Sequence, residues 1–100
     1  MKAIWNDTVI AEADKADLIY IEGNWYFPPD ALKREFTSPS DTHTTCHWKG
    51  EASYLNVAIG DQINPDAIWF YPVAKDGSIE RVKKDYTNYV AFWHGVEVTE

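Results

Sequence analysis

Three dipeptides with turn chemistry, each set between short apolar runs, constrain this chain more than any other feature. In "AIWNDTVIA" the pair Asn6–Asp7 separates Trp5 from Thr8, and both loop residue types tolerate the positive φ of a two-residue hairpin loop. "LIYIEGNWYF" repeats the pattern: Gly23–Asn24 is the expected loop, with Tyr20 opposite Phe27 and Ile21 opposite Tyr26. In "YLNVAIGDQIN", Gly60–Asp61 sets Ile59 opposite Gln62 and Ala58 opposite Ile63. Such loops join antiparallel neighbours, because parallel strands need a long crossover. The expected fold is therefore mainly β: a small twisted antiparallel sheet, closing toward a barrel-like roll, with one or two short helices.

The remaining segments fit around that frame. "FPPDALKREF" opens on two prolines, which suit the first turn of a helix, and has room for only one or two turns. "SIERVKKDY" spaces Ile79, Val82 and Tyr86 helically after Ser78, the expected N-cap. "TSPSDTHTT" reads as a loop. In "AIWFYP", Ala67, Trp69 and Tyr71 alternate with Ile68 and Phe70; in "YVAFWHGVEV", Val90 and Phe92 alternate with Ala91 and Trp93. Alternation with period two sends such sets to opposite faces of a sheet. No repeat or linker interrupts the chain, so residues 1–100 are expected to form one domain.

Composition narrows the partners. Aromatic residues make up 15% of the chain, and each buried ring removes roughly 150–250 Å² from water, enough to support a small core. The formal net charge of -7 repels polyanions, so no nucleic-acid partner is expected. The short basic clusters Lys33–Arg34 and Arg81–Lys83–Lys84 read as solvated surface. One cysteine permits no intrachain disulfide, and the opening "MKAIWNDTVIAEADK" lacks the apolar run of a signal peptide. No stretch reaches the roughly 20 apolar residues of a membrane helix. A soluble cytoplasmic domain without a membrane partner is the expectation.

The cysteine lies in "TTCHWKG", Thr44 to Gly50. If this stretch is extended, Thr44, Cys46 and Trp48 share one face, and Thr45, His47 and Lys49 the other. His47 then points away from the thiol and cannot act as its base, which would need hydrogen-bond reach. A free cysteine also serves as a small buried hydrophobe. His43, Cys46, His47 and His94 lack the two spaced ligand pairs of a structural zinc site, so neither metal nor cofactor is expected. The richer signal is aromatic rings with polar handles: Tyr20, Trp25, Tyr26, Tyr54, Trp69 and Tyr71 all fall on expected strands. They can fill a core or line a concavity.

"TVIAEADKADLIYIEGNWYFPPDAL", "THTTCHWKGEASYLNV", "DAIWFYPVAKD" and "YVAFWHGVEV" together resemble a small bacterial family, the domain of unknown function numbered 427, sometimes filed under a nucleotidyltransferase-like heading. The resemblance runs in order over nearly the whole chain, and "YFPPDAL" and "TTCHWKGEASY" carry most of it. It implies a compact, mainly β domain. Family members commonly have proline after the cysteine; His47 stands there instead, which sets His47 outside any shared mechanism. Nucleotidyl transfer would use a Gly-Ser motif followed by paired metal-binding aspartates, and the chain has none. The family-pattern positions are Tyr26, Pro28, Asp30, Cys46, Lys49, Gly50, Tyr54, Trp69, Tyr71 and Pro72.

These residues suggest a cleft for a small polar or anionic ligand. Lys49 supplies charge, Tyr26, Tyr54, Trp69 and Tyr71 supply hydrogen bonds and stacking, and Asp30 fixes orientation. Cys46 would line or underlie that pocket, with Tyr26, Tyr54 and Trp69 nearby. Two other classes stay open: a thiol-dependent enzyme with Cys46 as nucleophile, and an interaction module, monomeric or homodimeric, whose aromatic face meets a protein.

Overall fold

The computed structural model describes residues 1–100. Strands β1 (Lys2–Trp5) and β2 (Thr8–Glu12) form the first hairpin, with Trp5 opposite Thr8 and Ile4 opposite Val9, as the turn residues predict. Asn6 and Asp7 both take positive φ. Strand β9 (Glu97–Thr99) pairs with the other edge of β1, giving a three-stranded antiparallel sheet in the order β2-β1-β9.

The second hairpin joins β3 (Ile19–Ile21) to β4 (Asn24–Tyr26), but its loop is Glu22–Gly23 rather than Gly23–Asn24. Each pairing moves two places: Ile21 faces Asn24 and Ile19 faces Tyr26. The inward face is unchanged, because a shift of two preserves alternation. The loop needs positive φ at both central residues, and here Glu22 and Gly23 adopt it. Turn chemistry alone disfavours a glutamate there, since a left-handed conformation costs a residue with a Cβ roughly 1–2 kcal/mol.

The largest sheet runs β5-β6-β7-β8, antiparallel throughout: β5 (Thr37–Cys46), β6 (Gly50–Ile59), β7 (Gln62–Phe70) and β8 (Val90–Phe92). The third expected hairpin is its β6–β7 turn, with Ile59 opposite Gln62 and Ala58 opposite Ile63. β5 corrects the loop expectation for "TSPSDTHTT". It is an edge strand whose residues are largely exposed, so it carries no apolar alternation to read. Its pairing breaks between Pro39 and His43, and that of β7 breaks opposite Leu55–Val57. The Asn56 side chain stitches both irregularities, donating to the Pro39 carbonyl at 3.1 Å and accepting from the Asp66 N–H at 3.0 Å.

The fold is mainly β, 52% strand and 14% helix, but it is not a closed barrel. No strand pairs with the free edge of β5, where Pro39 also lacks a donor N–H. The proline-rich segment forms two single 3₁₀ turns, Pro29–Ala31 and Arg34–Phe36. The one α-helix, α1 (Ser78–Val82), stops where Lys83 turns left-handed. Ser78 lies inside it rather than capping it, and its hydroxyl bonds the Lys75 carbonyl and the Tyr86 phenol.

Two apolar layers flank the large sheet. One includes Ile10, Phe27, Val57, Ile68, Val90 and Phe92, packed with the three-stranded sheet. The other includes Ile19, Ile21, Tyr26, Tyr54, Tyr71, Tyr86 and Ala91, under the β3–β4 hairpin and α1. The predicted alternation sorts Val90 and Phe92 from Ala91, and Ile68 from Trp69 and Tyr71. Ala67 departs from it and joins Ile68 in the first layer, because Asp66 turns to positive φ just before. Each fully buried Ile, Val or Phe contributes about 1.5–3 kcal/mol of transfer free energy. Phe27 closes the hairpin onto β8 through reciprocal backbone bonds with Val90, 2.8 and 2.9 Å long.

Gly50 opens β6 directly after the three-residue loop from β5, at φ +116, and a Cβ there would lie 3.0 Å from the Val73 carbonyl oxygen. Gly23 is also left-handed, but space around it is open. Gly50→Ala should therefore destabilise the fold by more than Gly23→Ala, by about 2 kcal/mol or more against roughly 1–2 kcal/mol. Denaturant unfolding of both variants checks the order; equal losses would mean that the close approach of Val73 does not matter.

Candidate functional site

The second layer does not seal completely. Between the β3–β4 hairpin and the large sheet it opens a cavity of about 190 Å³, lined by Asn24, Tyr26, Lys49, Tyr54, Trp69, Tyr71 and Trp93. Strand alternation puts these rings together. Tyr54 on β6 lies directly opposite Trp69 on β7, and Trp69 opposite Ala91 on β8. Ala91 is small, which leaves room above it.

The rings form a connected wall. Trp69 meets Tyr26 edge-on, with centroids 6.1 Å apart, and its indole N–H donates to the Tyr26 hydroxyl at 3.0 Å. Trp93 lies nearly parallel to Tyr54 at 6.2 Å and edge-on to Trp69 at 5.3 Å. Its own N–H donates to the Asp66 carbonyl, which locks the exposed ring in place. The Tyr54 hydroxyl pairs with Thr44 Oγ1 at 2.8 Å. Every fully buried polar side-chain atom has a partner. The Tyr71 hydroxyl has no hydrogen-bond partner in the protein, and Tyr71 lines the cleft.

Lys49 is the charged member. Only 7% of the residue is exposed, which is rare for lysine and demands compensation. Its ammonium forms an ion pair with Glu22 at the tip of the β3–β4 hairpin. The ammonium also lies 5.1 Å from the centre of the Trp48 ring and 5.5 Å from that of Tyr71. Its backbone carbonyl is held twice, by the Tyr86 hydroxyl and by the Lys75 N–H, both at 3.0 Å. Burial works against the Lys49 charge, but the Glu22 hydrogen bond and the surrounding field outweigh it and hold its pKa above the ordinary lysine value. The Lys49 hydrogen bond pulls Glu22 below the usual carboxylate range. Burial raises the pKa of both Tyr26 and Tyr71, so both phenols stay protonated at neutral pH.

Of the residues expected from the sequence, Tyr26, Lys49, Tyr54, Trp69 and Tyr71 meet in this cleft. Asp30 does not. It sits exposed on the 3₁₀ turn after Pro28 and borders a larger concavity of about 560 Å³, with Asp17, Lys84 and Asp85. That hollow is bigger, but no cluster of rings converges on it. Cys46 ends β5 half-buried, packed against the tyrosine layer, and does not line the cleft. His47 is exposed in the loop, and His43 spends its Nδ1 on Ser53 at 3.1 Å, so neither histidine engages the thiol. The expected alternation fails after Cys46 because the strand ends there. Trp48 and Lys49 consequently serve the same side of the sheet.

Sequence reasoning missed Glu22, Asn24 and Trp93. Trp93 had a signal: just past β8, it continues the alternation of Ala91. Glu22 had none, because it lies 27 positions from Lys49 and its role depends on the hairpin tip reaching the β5–β6 loop.

A family model described as a domain of unknown function, DUF427, matches residues 1–100. The chain therefore belongs to that family. No curated protein matches it.

The ion pair implies a pH window for stability. The folded-state pKa of Glu22 is depressed, so its contribution is present above the unfolded value near 4.5 and is lost as pH falls through the lower folded value. The folded-state pKa of Lys49 is raised, so its contribution is complete below 10.5 and is lost as pH rises through the higher folded value. Glu22→Gln should lower the melting temperature at pH 7 and flatten its acid-side slope. An unchanged slope in a thermal melt series from pH 7 to pH 3 would show that the pair does not contribute.

Proposed function

We propose that this DUF427 domain binds a small polar or anionic molecule in the cleft between the β3–β4 hairpin and the large sheet. The observation that carries the reading is the convergence of four rings and an unpartnered phenol on a buried ammonium. In a core with no ligand to hold, an apolar side chain would fill this place without the desolvation cost of a charge, which needs a partner and well-aimed hydrogen bonds. A site that recognises a polar molecule does gain, because a fixed donor in low dielectric discriminates strongly.

The roles follow from geometry. Trp69, Trp93 and Tyr54 offer faces and edges for a flat or apolar body. Tyr71 offers a free hydroxyl, and Asn24 adds an amide-bearing residue to the lining. Lys49 supplies the cation. The volume of about 190 Å³ suits a ligand of one small ring or a short chain, not a nucleotide.

A thermal-shift panel of small carboxylates, phosphate esters and neutral amides tests the reading. A ligand at a hundred times its Kd should stabilise the wild type by about 2.7 kcal/mol. Trp93→Ala and Lys49→Met should each remove most of that gain. Both changes leave foldable chains, since Trp93 is 43% exposed and the Glu22 side chain left behind by Lys49→Met can be solvated. A panel with no stabilising member, or gains that survive both substitutions, would sink the proposal.

A further inference from the structure

The ion pair is asymmetric. Lys49 is fixed: its head is buried, and its carbonyl is clamped by Tyr86 and Lys75. Glu22 is exchangeable: its side chain is 54% exposed, and Lys49 is the main group holding it, with Trp48 a lesser hydrogen-bond partner and Arg81 adding weaker attraction. Glu22 also occupies a left-handed position where glycine, asparagine or aspartate would serve the turn better. The hairpin therefore tolerates an ill-suited residue at its tip, and the result is a carboxylate placed on the cleft's only ammonium. Strain of this kind, found beside a cavity, points to a task at that position.

We propose that Glu22 is a built-in occupant of an oxyanion position, and that the carboxylate of a small planar acid displaces it from Lys49 on binding. This rests on the cleft reading above and names its ligand class. The exchange conserves charge within the site. The incoming carboxylate neutralises Lys49 while Glu22 swings into water, where an ionised carboxylate is well solvated. A neutral ligand cannot drive the swing, because it would leave a buried ammonium without an anion. The ring of the acid lies against Trp69 and Trp93, and Tyr71, which lines the same cleft with a hydroxyl that no protein group engages, is the donor available to it. The cavity size fits a single aromatic ring with one acid group. Glu22 thus sets a threshold: only acids that also gain from stacking outcompete it.

Titration calorimetry with benzoate and with benzamide on four proteins tests this. The proteins are the wild type, Glu22→Gln, Glu22→Asp and Glu51→Gln; the last removes the same charge from an exposed position outside the cleft. Benzoate should bind Glu22→Gln about tenfold more tightly than wild type. Glu22→Asp, which keeps the charge but has shorter reach, should show part of that gain, and it decides the matter if the glutamine variant does not fold. Benzamide should change less than twofold throughout, and Glu51→Gln should match wild type. If both probes bind but benzoate is no tighter in either Glu22 variant, the displacement idea falls and the cleft stands. An equal gain for benzoate in Glu51→Gln would reduce the effect to bulk charge and also overturn it. If neither probe binds any of the proteins, the cleft reading fails for planar acids and the inference falls with it.

Discussion

A buried ammonium must have an anion, and in this protein that requirement joins two loops that are far apart in sequence. Lys49 lies in the β5–β6 loop and Glu22 at the tip of the β3–β4 hairpin. Their pairing pulls the hairpin across the open side of the second layer. On the other side, Phe27 and Val90 zip the hairpin's end to β8. Held at both places, the hairpin becomes the roof of a cleft whose floor is the large sheet. Without the ion pair, the roof would keep its root on β8 and its own strand pairing up to Ile21 and Asn24.

The two faces of the large sheet solve different problems. One is closed by the three-stranded sheet with aliphatic side chains and the edge-to-face pair Phe27–Phe92. The other is built from tyrosine and tryptophan, whose polar atoms must each find a partner if buried. Tyr86 finds Lys49 and Ser78, Tyr54 finds Thr44, and Trp69 finds Tyr26. This polar bracing lets the second layer remain partly open without collapsing. Cys46 fits the same picture as a small half-buried residue packed against the tyrosines, engaged by neither nearby histidine.

Much of the fold was legible because its causes are local. Asn6–Asp7 and Gly60–Asp61 mark turns through their own φ preferences, and strands one residue on either side must then pair. Alternation along β7 and β8 sorted most side chains onto their faces before any partner was known. The failures share a cause too. β5 hid because an exposed edge strand needs no apolar pattern. The Glu22–Gly23 loop slipped by one residue because glycine serves either place in the turn, and the choice between them involves a contact with Lys49, not the turn itself.

By itself, then, the sequence determined a mainly β chain, the positions of two hairpins, and a shared strand face for Trp69 and Tyr71. These follow from backbone sterics and a period of two, which act over a few residues. Only the tertiary structure decided that Tyr26, Lys49, Tyr54, Trp69 and Tyr71 share one cleft while Asp30 stands outside it. It also decided that the charge of Lys49 is already met by Glu22 and that Trp93 completes the wall. Which loop tip reaches which cation depends on how separate sheets pack, and packing couples residues whose separation along the chain leaves no local trace.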